Sequence, residues 1–250
     1  MVSLTTMLDR KVPPMNPDDS DDSRVGGSTD RRGSALSDHV DALTADGGRD
    51  LHRIIVVSPT RTEQSYLLEI FEFVGRQLPE PLQTFEKDVD GWCDAYAADY
   101  PDAELLEINL VSAVYWFDRT HERVVAAYGI ATSPDGPRDV NRIRRFPDVS
   151  IGVRKVMGDQ AFPVDRGHVL SHAAGGELDI NLFPQRRELN RGWSEQGKLY
   201  RRMEQSAADD PGTFHFHRAR YNHETWTPST LEYGVLRQDE EWWIKSFDNK

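Results

Sequence analysis

The stretch of sequence that decides the fold runs from Asp165 to Gly192 and reads DRGHVLSHAAGGELDINLFPQRRELNRG. It contains three short motifs, which are Asp165 to His168, Asn181 to Gln185, and Leu189 to Gly192. A histidine is substantially neutral at physiological pH and can take a proton from water, and amide oxygens suit hard cations such as Mg²⁺. The stretch therefore predicts a hydrolytic site that combines a histidine base with a metal ion.

Together the motifs resemble the signature of the DNA/RNA non-specific endonucleases, which are ββα-metal (His-Me finger) nucleases. That signature comprises an Asp-Arg-Gly-His loop, an Asn-x-x-Pro-Gln segment and a Leu-Asn-x-Gly turn that enters a helix. Asn181 and Asn190 stand nine residues apart, as in the family. The resemblance covers residues 104–237 and implies an α+β fold with a mainly antiparallel sheet around the ββα-metal core.

The resemblance also implies an activity, namely that of a magnesium-dependent endonuclease. Its substrate would be DNA, with RNA as a further substrate, and cleavage would leave a 5′-phosphate. His168 would act as the general base in this reaction. Asn190 would bind Mg²⁺, or alternatively Mn²⁺. Asn181 would tether the site through hydrogen bonds of its side chain.

Two neighbours of His168 are expected to support it without reacting. Gly167 would let the motif loop turn tightly, and Asp165 would bond loop amides or Arg166. His172 follows His168 at the spacing of paired zinc ligands on a helix. Two glycines follow it and no third ligand is suggested, so zinc is not favoured.

The acidic residue of the site is harder to place. In the family it stands eight positions after the metal asparagine and orients the metal's water shell. Glu204 has the expected flanking pattern but stands fourteen positions after Asn190, which is ~21 Å along an unbroken helix. We therefore predict that the chain breaks or loops out between Gly192 and Gly197. Glu195 is the rival, since it is closer in sequence but lacks the flanking pattern.

The family further uses an arginine upstream of the histidine, because a guanidinium group suits phosphate. The candidates are Arg138, Arg142, Arg144 and Arg145. Arg144 fits best, since it stands two residues before the aromatic Phe146. In the family an asparagine stands four residues before Asn181. Glu177 occupies that position here, so the family's finer network of bound water is not expected in this chain.

The net charge of −12 disfavours contact with nucleic acid unless the charge is unevenly distributed. Between His121 and Arg237 there are 17 Lys and Arg against 15 Asp and Glu, so the acidic excess lies outside the motif region. The basic residues after the second motif are Arg186, Arg187, Arg191, Lys198, Arg201 and Arg202. This cluster could meet a polyanion, or it could be an ordinary solvated helix face.

Composition divides the chain into four parts. Residues 1–50 form an acidic leader that is too poor in apolar side chains to offset its ordering entropy, so it is predicted to be disordered. Residues 51–103 are predicted to form a helical cap or an interaction segment. Residues 104–237 would be the nuclease domain, and residues 238–250 a C-terminal tail.

No amino-terminal signal peptide and no apolar stretch of ~20 residues is visible, so no membrane contact is expected. The single cysteine, Cys93, agrees with a reducing compartment. The sequence thus predicts a cytoplasmic protein, or one exported by a route that reads no amino-terminal signal. A nuclease is dangerous to its own cell, which suggests a toxin with an inhibitor or immunity protein as its partner.

Hydrophobic periodicity predicts helices over residues 64–78 and 81–98 and a hairpin from residues 108–117 and 123–130. It also predicts strands near residues 53–57, 180–183, 214–218 and 231–236, and a helix that ends near Gln205. His215 and His217 alternate along one of these strands, close to His223. They could form a second metal site, but surface positions are favoured.

Two other functions remain open. A degenerate member of the family could bind nucleic acid without cutting it, which would be favoured if Glu204 could not reach the metal. An interaction protein could use its acidic leader to mimic nucleic acid and cover the basic face.

Overall fold

The computed structural model describes residues 56–58, 65–110, 112–133, 153–157, 160–176, 179–222 and 226–250. These residues have an α+β fold in which every strand pairing is antiparallel. The predictions for the leader at 1–50, for the arginines at 138–145, and for Glu177 and His223 lie outside the described residues.

The strands in chain order are β1 Val56–Ser58, β2 Leu105–Asn109, β3 Ala113–Asp118, β4 Arg123–Ile130, β5 Val153–Met157, β6 Gln160–His168, β7 Leu182–Arg186, β8 Phe214–Arg220, β9 Thr230–Leu236 and β10 Trp242–Asp248. The α-helices are α1 Tyr66–Phe73, α2 Phe85–Asp99, α3 Arg187–Asn190 and α4 Glu195–Ala208. One sheet has the order β1-β2-β3-β4-β8-β9-β10, and a smaller sheet has the order β5-β6-β7.

The two amino-terminal helices confirm the helical periodicity of residues 64–78 and 81–98. Ser65 caps α1 by accepting a hydrogen bond from the Leu68 amide. The buried stripe of α2 comprises Phe85, Val89, Cys93 and Tyr96, which recur every three or four residues. The stripe packs α2 onto the large sheet, where the Phe85 ring lies 4.9 Å from that of Phe214.

The predicted hairpin is present, but its first arm is two strands. The run over residues 108–117 turns between Asn109 and Ala113, so that β2 and β3 pair with each other. Both strands are buried on both faces, so polar and apolar residues do not alternate along them and the run gives no periodic signal for a turn within it. The prediction of a single strand there was therefore wrong.

Helices α2 and α4 cover opposite faces of the large sheet. Successive side chains of a strand point to opposite faces. On β8, Phe214 and Phe216 contact Phe85 of α2, whereas His217 contacts Tyr200 of α4. The amino-terminal helical segment therefore lies across the sheet from the helices that follow the motifs.

Residues 238–250, set apart in the sequence as a tail, contribute strand β10 to the large sheet. Beyond this strand the buried Asn249 donates to the carbonyls of Pro184 and Pro228 and accepts from the Arg186 amide at 2.6 Å. This side chain joins the small sheet to the large one just before α3 begins.

Among the described residues, none of the helices has both the length and the apolar character needed to cross a bilayer.

Candidate functional site

The Asp-Arg-Gly-His motif occupies the end of strand β6. It pairs with β7 in a regular register that sets Asp165 opposite Gln185 and His168 opposite Leu182. The prediction that this motif forms a loop was wrong. Gly167 is needed here for close packing, because a Cβ atom at this position would lie 2.5 Å from Cβ of Gln185.

Asp165 contacts three side chains in the third motif or just before it. Its carboxylate accepts hydrogen bonds from Nε of Arg187 at 2.9 Å and Nε of Arg191 at 2.7 Å, and lies 3.5 Å from Nδ2 of Asn190. Burial alone would raise the pKa of Asp165, but the hydrogen bonds from Arg191 and Arg187 outweigh burial and lower it. Asp165 therefore stays ionised and fastens α3 to β6.

This contact fixes the orientation of the Asn190 amide. An ionised carboxylate only accepts hydrogen bonds, so the amide must turn its Nδ2 toward Asp165. Its Oδ1 then points away from the carboxylate and is available as an acceptor or ligand. Asn190 is half-buried, at the last residue of α3.

Asn181 makes the hydrogen bonds expected of a tether. Its Oδ1 accepts from the Leu170 amide and its Nδ2 donates to the Leu170 carbonyl, both at 2.7 Å. Its backbone carbonyl accepts from the Val169 amide at 2.8 Å. The buried Asn181 thus holds the two residues that follow His168, Leu170 through its side chain and Val169 through its backbone.

His168 lies at the end of β6 with a half-buried ring whose Nε2 is turned away from solvent. The ring centre lies 6.2 Å from that of His172. Strand alternation places His168 and Arg166 on one face of β6 and Asp165 and Gly167 on the other. The structure therefore joins Asn190 to the motif strand through Asp165, while His168 stands about 10 Å further along that strand.

The chain breaks between Asn190 and Glu204, as the spacing predicted. Gly192 adopts a left-handed conformation with φ of +70° and ends the α3 turn. Ser194 caps α4 by accepting from the Gly197 amide at 3.0 Å. The break is shorter than predicted, since Glu195 to Gly197 form the first turn of α4.

Gly197 lets α4 pack across α3. Any side chain at this position would collide with the Glu188 carbonyl and would lie 2.9 Å from Cα of Gly192. Further along α4, Arg201 donates to the Arg191 carbonyl. The separation of Asn190 and Glu204 is therefore no longer that of one continuous helix.

The two candidate glutamates have different surroundings. The Glu195 side chain is 89% exposed and pairs with Lys198, whose hydrogen bond lowers the pKa of this carboxylate. Glu204 is half-buried. Burial raises the pKa of Tyr200 and of Tyr233, and the nearby negative charge of Glu204 raises each further. Of the two, only Glu204 faces the interior of the molecule.

Most of the predicted basic cluster is neutralised by neighbouring acids. Arg187 and Arg191 bind Asp165, Arg186 binds Glu188 at 2.7 Å, and Lys198 binds Glu195 at 2.6 Å. Arg201 and Arg202 remain as exposed cations on the outer side of α4. The surface that could meet a polyanion is therefore smaller than the sequence suggested.

His215 and His217 are buried, so the expectation of surface positions was wrong. Their exposed fractions are 1% and 2%, because α4 covers this face of β8. Burial lowers the pKa of His215 to about 4. Burial and the neighbouring His215 lower the pKa of His217. Both rings are therefore neutral at pH 7 and pack with Tyr200 and Tyr233.

This histidine pair should make the protein sensitive to mild acid. The folded state keeps both rings neutral while the unfolded chain takes up protons below about pH 6.5. For His215 the free energy of unfolding should therefore fall by roughly 1.4 kcal/mol per pH unit as the pH drops from about 6.5 toward 4, and the lowered pKa of His217 should make the fall steeper. Urea unfolding at pH 7, 6 and 5 measures this slope. His217→Gln should reduce it, and an equal slope in this variant and in the native protein would contradict the assignment.

A cavity of about 260 Å³ lies apart from these residues, between α2 and the end of β8. It is lined by Trp92 and Tyr96 of α2 and by Arg218 and Arg220 of β8. Arg218 shares a strand face with Phe216 and so faces away from α4. The cavity therefore does not belong to the motif site.

Among the described residues, no group of three or more His, Cys, Asp or Glu side chains is arranged to hold a metal ion. An all-protein cage is not what Mg²⁺ requires, since this ion keeps several waters and binds through one or two protein oxygens. Oδ1 of Asn190, oriented by Asp165, is a metal ligand of this kind.

No model of a known protein family matches the chain, and no curated protein matches it.

Proposed function

We propose that this protein is a Mg²⁺-dependent endonuclease with a ββα-metal site, which hydrolyses phosphodiester bonds of DNA and also of RNA. The observation that carries the proposal is that the three motifs are bonded to one another. Asp165 binds Arg187 and Arg191, which stand three residues before and one residue after Asn190, and Asn181 binds Leu170, two residues after His168. The chain order β6, β7, α3 is two strands followed by a helix, which is the order that a ββα site requires and so supports the proposal.

In the proposed reaction His168 takes a proton from the attacking water. Asn190 would hold Mg²⁺ through Oδ1, and the bound ion would neutralise phosphoryl and leaving-group oxygens. Glu204 would orient water molecules around the ion. Arg201 and Arg202 are cations that could contact the flanking phosphates.

The proposal is tested by incubating the purified chain with plasmid DNA and with RNA, in Mg²⁺ or in excess chelator. Degradation in Mg²⁺ that chelator abolishes is the expected result. A gel shift without degradation would favour the binding module that does not cut. Neither a shift nor degradation would favour the interaction protein.

Asn190→Ala should raise the Mg²⁺ concentration needed for half-maximal activity and should also lower turnover. The reason is that Asn190 is the one protein ligand proposed for the ion. Activity titrated against Mg²⁺ measures the effect, with Asn222→Ala as a control because Asn222 lines the cavity on the other face of the large sheet. An unchanged Mg²⁺ midpoint in Asn190→Ala would exclude the ligand role.

A further inference from the structure

Trp193 is the most exposed of the large hydrophobic side chains among the described residues. Its exposed fraction is 62%, against 46% for Leu68 and 43% for Ile244. It lies between α3 and α4, three residues after Asn190. An indole ring left in water beside a proposed catalytic site offers a flat apolar surface to a substrate.

The turn that carries Trp193 is well fixed. Gly192 adopts the left-handed conformation before it, and the Trp193 amide donates to the Glu188 carbonyl at 2.9 Å. The Ser194 side chain then caps α4. The ring is thus presented from a rigid backbone, which lowers the entropy lost when a ligand binds to it.

The ring is also linked to the site through one cation. The Arg191 guanidinium lies 5.1 Å from the centre of the Trp193 ring, a distance typical of a cation–π contact. The same guanidinium binds Asp165 at 2.7 Å, and Asp165 also contacts Asn190. The position of the indole is therefore coupled to that of the proposed metal ligand.

We propose that Trp193 is a stacking subsite for an unpaired nucleobase of the substrate, which makes single-stranded or locally unpaired nucleic acid the preferred substrate. This inference rests on the proposed function. Aromatic side chains stack on the face of any base, which gives affinity without sequence preference. In a duplex the base faces are covered by their neighbours, so an exposed indole gains little from paired DNA. The exposed Arg201 and Arg202 on the adjoining helix supply positive charge for the backbone.

The test uses the full chain carrying His168→Ala, so that substrate bound in Mg²⁺ is consumed about 10²–10⁴-fold more slowly than by the native chain. Binding of a fluorescein-labelled 12-nucleotide oligo-dA and of a 12-base-pair duplex is measured by anisotropy. Adding Trp193→Ala should weaken oligo-dA binding by about 5- to 100-fold and duplex binding by less than about twofold. Trp193→Phe should restore most of the loss. Ile244→Ala, which removes a similarly exposed apolar side chain on β10, should change neither affinity.

Equal loss for both oligonucleotides, no loss for either, or no binding of oligo-dA would overturn the subsite. Its failure is distinguishable from failure of the nuclease assignment. If the native chain degrades nucleic acid in Mg²⁺ but Trp193→Ala binds oligo-dA normally, only the subsite is wrong. If the native chain cuts nothing and oligo-dA binding still depends on Trp193, the nuclease assignment is wrong and the subsite belongs to a binding module.

Discussion

Replacing His168 with alanine is expected to lower the rate of phosphodiester cleavage by about 10²–10⁴-fold, the usual effect of removing a general base. The fold should be kept, because the end of β6 is held by bonds that do not involve the imidazole. These bonds are the β6–β7 ladder and the two hydrogen bonds of the Asn181 side chain. Initial rates on plasmid DNA measure the first effect, and the urea unfolding midpoint measures the second.

His172→Ala is the matched control for this variant. The two imidazoles lie 6.2 Å apart, so both changes remove the same group from nearly the same place. His172 has no role in the proposed reaction, so the His172→Ala variant should retain most of the native activity. If His168→Ala kept more than half of the native rate, or if His172→Ala were equally damaging, His168 would not be the base.

Elements with a clear local period could be predicted from the sequence alone. The stripe from Phe85 to Tyr96 predicted α2 because its spacing matches the period of a helix. Strands β8 and β9 were also predicted locally, from short runs of residues that favour strands. The break before α4 was predicted from a length argument, since one helix from Asn190 to Glu204 would separate two residues of one site.

The motif strand could not be predicted in this way, because its pairing is not local. Asp165 and Gly167 disfavour strands, and the sequence around them looks like a turn. Their partner strand begins fourteen residues after His168 and is itself held by Asn249 at the far end of the chain. Local propensity is overridden here by contacts that a local reading of the sequence does not reveal.

The alternation of phenylalanine and histidine in β8 was misleading for a related reason. A strand with one solvated face places its polar residues on that face. Here helices cover both faces of the sheet, so Phe216 and His217 are both buried. Only the packing of α4, through Tyr200, shows that the histidine face is not solvated.

The spacing of the two arginines that bind Asp165 is a feature of the sequence that the sequence analysis did not use. Arg187 and Arg191 stand four residues apart, on either side of Asn190, and thus share one helix face. That spacing predicts a common partner of negative charge. It does not identify Asp165 as the partner, because Asp165 stands 22 positions before Arg187 in sequence.

Replacing Glu204 with glutamine is expected to lower turnover by about 10–100-fold, the range seen when a group that positions a metal's ligands is lost. Glutamine keeps the shape of the side chain and removes the charge. Glu195→Gln makes the same chemical change on the same helix, but at a side chain that is 89% exposed and paired with Lys198. It should therefore leave turnover near the native value.

The comparison also separates a role in the site from a role in packing. Glu204 lies near the buried hydroxyls of Tyr200 and Tyr233, and its charge raises the pKa of both. If its role were only to stabilise this cluster, Glu204→Gln would shift the urea unfolding midpoint and leave the Mg²⁺ dependence of the rate unchanged. If Glu204 orients water around the ion, turnover falls and the Mg²⁺ dependence changes while the unfolding midpoint stays near native. Because Glu195 is exposed and pairs with Lys198, greater damage from Glu195→Gln than from Glu204→Gln would reverse the assignment and make Glu195 the residue that orients the water around the ion.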